Sequence, residues 1–207
     1  YLQKYLLSLN FRYDGASNLG ANYKWSFFPG ISMGWNLHKE NFWSTIPEDF
    51  SSLKVRGSYG VNGNISGLGD FQAQGAYSVG AKYNGNAAIQ NSVLPNSDLK
   101  WEQSKTFDIG LDLGLYENRI SFLFDYFVRH TDNLLTNLSL PRSTGFSSIL
   151  TNLGSLENKG IELEISANML PSTSTFQWDL SFNASRVSNK ILSLPHNGIE
   201  NNRIGGD

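Results

Sequence analysis

The 207-residue sequence predicts an all-β chain: an antiparallel transmembrane β-barrel segment of about seven strands, with long extracellular loops and short periplasmic turns. Three observations predict it. Apolar and polar residues alternate over seven stretches of about ten residues, the period that sends successive side chains to opposite faces of a sheet. The polar partner is usually Ser, Asn, Thr, Gly or Asp and seldom Lys or Glu, so that face is not built for bulk water. Charged residues reach only 16%, below the ~25% of soluble domains, while aromatics reach 13%.

The strands follow in order. Over roughly 4–13, Tyr5, Leu7, Leu9, Phe11 and Tyr13 share one face, against Ser8, Asn10 and Arg12. Over roughly 24–36, Trp25, Phe27, Ile31, Met33 and Trp35 oppose Ser26, Gly30, Ser32, Gly34 and Asn36. Pro29 lacks an N–H, so a bulge or local break is expected there. Over roughly 53–62, Leu53, Val55, Tyr59 and Val61 oppose Lys54, Arg56, Ser58 and Asn62. A stretch of Gly, Asn, Ser and Gln over 63–98 is too long for an ordinary connection. A weak alternation at Tyr77, Val79 and Ala81 predicts a hairpin within it. Over roughly 100–116, Phe107, Ile109, Leu111, Leu113 and Leu115 oppose Thr106, Asp108, Gly110, Asp112 and Gly114. Glu117-Asn118 makes a tight turn. Over roughly 119–130, Ile120, Phe122, Phe124, Tyr126 and Val128 oppose Ser121, Asp125 and Arg129. A second long polar stretch covers about 131–158. Over roughly 159–169, Ile161, Leu163, Ile165 and Ala167 oppose Glu162, Glu164, Ser166 and Asn168. After a turn at 171–175, roughly 176–187 sets Phe176, Trp178, Leu180, Phe182 and Ala184 against Gln177, Asp179, Ser181 and Asn183. A short helix is expected near 39–50.

A soluble β-sandwich also alternates, because one face packs a core. The stripe from Phe107 to Leu115 runs nine residues unbroken, and at ~3.3 Å per residue and ~40° tilt such a length covers an apolar band of about 25 Å. Sandwich strands are more often ~5–6 residues long. Tyr5, Tyr13, Trp25, Trp35, Tyr59 and Trp178 fall near strand ends, where a membrane-interface girdle places aromatics. Open sheet edges are excluded from hydrocarbon, so further strands must close the barrel. Net charge is −2 and offers no basic surface for nucleic acid. No Cys is present, which excludes disulfides, thiolate metal sites and a Cys nucleophile. No apolar run reaches the ~18 residues of a transmembrane helix, and the mean hydropathy of −0.30 suits strands with one polar face. The sequence begins without Met or signal peptide and is expected to be an internal segment of a longer chain.

An ordered set of motifs now matters. Arg12-Tyr13-Asp14-Gly15-Ala16-Ser17 precedes Lys24-Trp25-Ser26-Phe27-Phe28-Pro29-Gly30 with Gly34-Trp35. Leu53-Lys54-Val55-Arg56-Gly57-Ser58-Tyr59-Gly60 follows with Asn62-Gly63-Asn64, then Leu99-Lys100-Trp101-Glu102. Asn152, Gly154, Asn158 and Lys159-Gly160-Ile161-Glu162-Leu163 complete it. In this order they resemble the SusC/RagA family of TonB-dependent outer-membrane transporters of Bacteroidota. Ala16, Leu19 and Gly30 are mild departures from the family pattern. The resemblance implies a 22-stranded barrel, to which residues 1–207 contribute about a third on the C-terminal side. It implies a plug domain and TonB box outside this segment. It further implies uptake of oligosaccharides or oligopeptides, a SusD-like surface lipoprotein as lid, and energy supplied by TonB through the plug. The expected location is the bacterial outer membrane, in contact with its lipid.

No catalytic residue, metal site or cofactor is expected, and the chain is not read as an enzyme. Glu162 and Glu164 lie about 7 Å apart on one face, inside the range of a glycosidase pair, but nothing encloses them. His38, His130 and His196 lack ligand spacing. Gly57-Ser58-Tyr59-Gly60 with Gly63 lacks the following helix of a phosphate loop. Arg12, Arg56, Asp108, Asp112, Asp125, Arg129, Glu162 and Glu164 are the expected lumen-facing set. Phe71, Tyr77 and Tyr83 are the extracellular-loop candidates for a glycan or peptide ligand or a partner. Two alternatives stand beside import: a non-transporting structural or adhesion barrel, and a soluble carbohydrate-binding β-sandwich.

Overall fold

A computed structural model describes residues 2–170 and 173–194. Its strands are β1 (Tyr5–Gly15), β2 (Trp25–Asn36), β3 (Phe50–Asn64), β4 (Ala76–Tyr83), β5 (Asn86–Val93) and β6 (Glu102–Leu115). There follow β7 (Ile120–Asp132), β8 (Leu135–Ser139), β9 (Ser148–Asn152), β10 (Ser155–Asn168) and β11 (Asp179–Ser193). Seven strands form one antiparallel sheet in the order β1-β2-β3-β6-β7-β10-β11, while β4-β5 and β8-β9 are separate two-stranded sheets. The sheet is open, a section of barrel wall rather than a closed barrel.

The register sorts the faces as the alternation predicts. Leu7, Met33, Gly57, Ile109, Tyr126 and Ile161 form one cross-strand row. One residue along, Arg56, Gly110, Asp125 and Glu162 form a row on the opposite face. The apolar rows are uncovered: Leu7 is 64% exposed, Phe11 63%, Phe27 53%, Phe107 48% and Phe182 57%. A sandwich would bury these side chains under a second sheet, and none lies over them among the described residues. Aromatic pairs bracket the stripe of β1 and β2. Tyr13 stacks on Trp25 at 5.3 Å near one end, and Tyr5 stacks on Trp35 at 6.3 Å near the other.

Three local expectations change. First, β2 runs through Pro29 with no register shift against β1, where Pro29 faces Phe11. The break falls on the other side: the ladder to β3 ends at the Gly30–Gly60 pair, next to the residue without an N–H. Second, the helix expected near 39–50 is two 3-10 turns, Leu37–Lys39 and Asn41–Thr45. Glu40 between them is extended, at φ −80 and ψ 153, which no α-helix accommodates. Third, the 131–158 stretch is not featureless. β7 and β10 extend into it, and β8 pairs with β9 inside it. The turn expected at 171–175 and His196 lie partly or wholly outside the described residues.

Glu40 is extended because three donors hold its carboxylate. Lys4 Nζ donates to Oε2 at 3.0 Å, while Tyr5 Oη at 2.8 Å and Trp35 Nε1 at 3.1 Å donate to Oε1. These bonds, Lys4's foremost, lower the Glu40 carboxyl from an ordinary 4.5 to about 2. A folded value below the unfolded one stabilises this clasp fully above about pH 4.5, and the gain is lost as pH falls through about 2. Hydrogen exchange across 37–49 should therefore accelerate as pH drops below 4.5, after correction for intrinsic rates. Glu40→Gln should remove that dependence, and a variant as acid-sensitive as the parent would assign the effect elsewhere.

Candidate functional site

The polar face carries its densest charge where β3, β6 and β7 meet. Arg56 extends from β3 and reaches three carboxylates on the next two strands. Its Nε donates to Asp112 Oδ1 at 2.9 Å and its Nη2 to Asp125 Oδ2 at 2.7 Å, and its Nη1 lies 3.6 Å from Asp108 Oδ1. Lys54 adds a longer contact to Asp112, 3.7 Å away. The planar guanidinium suits this task, because its donors are fixed in a fork.

Gly110 makes the reach possible. It sits between Arg56 and Asp125 in the cross-strand row. A Cβ there would lie 2.6 Å from the Arg56 Cζ and 2.5 Å from Asp125 Oδ1. Gly110→Ala is thus expected to destabilise the folded protein by about 1–3 kcal/mol, the scale of overpacking. Gly60→Ala is the control, since its Cβ would meet nothing within 4 Å. Denaturant unfolding of both variants in detergent checks this, and equal stabilities would contradict the close approach.

The other predicted members of this face separate. Arg12 pairs with Asp14 at 2.6 Å, and its guanidinium lies 5.3 Å from the centroid of Phe28. Arg129 donates to Thr106 Oγ1 at 3.3 Å. Glu162 and Glu164 make no ion pair among the described residues, and they line a depression of about 300 Å³ with Leu123, Asp125, Asn183 and Ser185. The structure thus gathers Arg56, Asp108, Asp112 and Asp125, sets Glu162 beside Asp125, and leaves Arg12 and Arg129 apart. Lys54 and Gly110 are members that charge alternation alone did not single out.

At the loop end lies the buried core: Leu19, Phe28, Ala73, Leu99 and Trp101. Phe28 meets Trp101 edge-on at 5.3 Å, and a Cβ on Gly63 would strike the Phe28 ring. Trp101 Nε1 donates to the Lys24 carbonyl at 3.1 Å. Asn152 bridges two connections: its Nδ2 donates to the Lys100 and Asn133 carbonyls, and its Oδ1 accepts the Lys100 N–H at 2.9 Å. Asn96 Nδ2 donates to the Leu150 carbonyl at 2.9 Å. Glu102 accepts from Asn64 Nδ2 at 3.0 Å and from the Leu135 N–H at 3.3 Å. The result is a braced collar that ties the long connections to the wall. Sequence reasoning missed this role, although Leu99-Lys100-Trp101-Glu102 and Asn152 are among the motif residues.

The loop candidates do not form one site. Phe71, 70% exposed, lines a groove of about 630 Å³ with Asn18, Lys24, Asp70 and Gln74. Tyr77 and Tyr83 stand on the β4-β5 hairpin, 73% and 81% exposed. Among the described residues no group of three His, Cys, Asp or Glu could hold a metal ion.

Known proteins share this architecture. A family described as TonB dependent receptor-like, beta-barrel, matches residues 1–205. TonB-dependent receptor P39 of Formosa agariphila is 39% identical over 194 residues, covering 94% of this chain and 18% of that protein. TonB-dependent receptor SusC of Bacteroides thetaiotaomicron is 35% identical over 200 residues, covering 93% of this chain and 20% of that protein. The RagAB peptide importer in its closed-closed state superposes with a TM-score of 0.83 at 26% identity, covering 93% of this chain and 21% of that one. The chain thus spans about a fifth of the length of these relatives.

Proposed function

The chain belongs to the TonB-dependent receptor-like β-barrel family, and on that premise we propose that it walls an outer-membrane nutrient importer whose substrate is an oligosaccharide or an oligopeptide. The supporting observation is the two-faced sheet: uncovered apolar rows on one side and the Arg56 carboxylate cluster on the other. The apolar side meets acyl chains, and the charged side faces the bore. The long connections with their collar lie at the extracellular end, and the short turn at 116–119 lies at the periplasmic end. Residues 1–207 form part of the barrel domain, and further strands complete the closure that hydrocarbon demands. The wall performs no covalent chemistry. It supplies a lipid-compatible frame and a polar lining for the substrate's path.

Energy reaches such an importer through TonB acting on a plug inside the barrel. A SusD-like lipoprotein closes over the extracellular face as a lid. Phe71, Tyr77 and Tyr83 offer that lid or the substrate exposed aromatic faces beside amide groups. Glycan is our first choice of cargo. Peptide is the second, supported by the RagAB neighbour being a peptide importer.

Purification of the full-length transporter from outer membranes tests the reading. A surface lipoprotein should co-purify, with oligosaccharides or oligopeptides identifiable by mass spectrometry. Uptake of those compounds should depend on TonB. A full-length barrel without a plug, in cells whose uptake is unchanged by its deletion, would instead mark a non-transporting structural barrel.

A further inference from the structure

The membrane-facing side carries a basic cluster that neither the transport reading nor the sheet's own stability explains. Ile161 lies opposite Arg186, Lys159 opposite Ser188, and Glu157 opposite Lys190. Residues two apart on a strand share a face, so Lys159 lies diagonal to both Arg186 and Lys190. Such diagonal neighbours are about 7–8 Å apart, so three basic residues occupy the strand positions that flank Ser188. All of them share the face of Ile161, Leu163 and Phe182, the side turned to lipid.

One nearby pair is closed, and the imidazole contacts beside it are ionic only when His130 is protonated. Lys105 pairs with Asp132 at 3.0 Å, and His130 lies 3.7 Å from Asp132 and 3.9 Å from Glu157. Glu157 is the carboxylate nearest in register to Lys190, yet no ion pair joins them. Lys159, Arg186 and Lys190 have no carboxylate within 4.0 Å among the described residues. Like charges at this spacing repel, and in register Lys159 is level with Tyr59 and Lys190 lies beyond it, at the interface where lipid headgroups sit. An anion between them relieves the repulsion. Below the cluster, the rows holding Leu163, Ile165, Leu180 and Phe182 are apolar, so an occupant must carry acyl chains beneath its charge.

We propose that Lys159, Arg186 and Lys190, with the Ser188 hydroxyl, bind the phosphate headgroup of an anionic membrane lipid. Arg186 supplies a bidentate fork to the phosphate, and the two lysines supply point charges. The lipid's chains lie down the apolar rows of β10 and β11. The site falls at the loop end of the wall, so the lipid belongs to the outer leaflet; that placement rests on the orientation proposed above.

Native mass spectrometry of the full-length transporter tests this, with phosphatidic acid as probe, against phosphatidylcholine and inorganic phosphate. The parent should bind phosphatidic acid more tightly than phosphatidylcholine. The triple variant Lys159→Gln, Arg186→Gln, Lys190→Gln should lose on the order of 100-fold in affinity, from several-fold per basic group at a membrane surface. Removing Lys24, Lys39 and Lys82 together should change little. Heat-modifiable electrophoresis establishes that each barrel is folded; if the triple variant fails, Arg186→Gln alone should still lose several-fold. Equal binding by parent and variant overturns the proposal, as does inorganic phosphate competing as well as the lipid. A transporter that imports nothing yet binds the lipid at these residues defeats the import reading alone.

Discussion

Leu111→Arg in the full-length protein should destabilise the folded barrel by about 2–4 kcal/mol, the scale for a basic residue at the bilayer midplane. Leu111 is central in the stripe from Phe107 to Leu115, on the uncovered face, paired with Val55 and Phe124. Its neighbour Asp112 points the other way and binds Arg56 at 2.9 Å. Asp112→Asn should change stability by no more than about 1 kcal/mol, because a partly exposed ion pair contributes little. Arg56 also retains Asp125 and Asp108. Reversible unfolding in lipid vesicles compares the two substitutions. Equal losses would mean that the faces are misassigned.

Trp101→Ala should have the largest effect at the loop end, about 3–5 kcal/mol for truncating a buried Trp. The indole is 8% exposed, fills the space between Phe28 and Gly63, and spends its N–H on the Lys24 carbonyl. Its loss leaves both a void and an unpaired acceptor. The damage should concentrate in the collar, because the seven-stranded ladder does not depend on this side chain. Hydrogen exchange should rise across 16–24 and 94–101 and stay unchanged in β7 and β10. Trp101→Phe should recover most of the packing but not the bond. Uniform loosening of the whole sheet would show that Trp101 supports the wall itself.

The wall was legible in the sequence because a period of two is a local signal. Each residue of the Phe107–Leu115 stripe reports its face through its immediate neighbours, and the register carries the same assignment across seven strands. The collar was not legible in this way. Asn152 meets Lys100 and Asn96 meets Leu150 across more than fifty positions, and spacing cannot announce such contacts. β8 and β9, five residues each, are too short for alternation to stand out. The β4-β5 hairpin was partly visible, and its Asn84-Gly85 pair, with φ of 50° and 82°, is the usual signal for such a turn. Within the charged set, the sequence placed Arg56 and its three carboxylates on one face. Only the register showed that Gly110 opens the space in which they meet.

The early end of the β2–β3 ladder has a mechanical consequence. Beyond Gly30 and Gly60 no backbone bond joins these strands, and the gap is stitched by the Phe28–Trp101 contact, by Trp101 to Lys24 and by Gln103 to Ser26 at 3.2 Å. Ladder bonds fix a register, since slipping them leaves polar groups orphaned, whereas ring contacts tolerate a small slide. At the rim, β2 is therefore joined to the wall by these side-chain contacts and, through the β1–β2 connection, by the Gly20 N–H donating to the Leu99 carbonyl at 2.8 Å, rather than by a continuous ladder to β3.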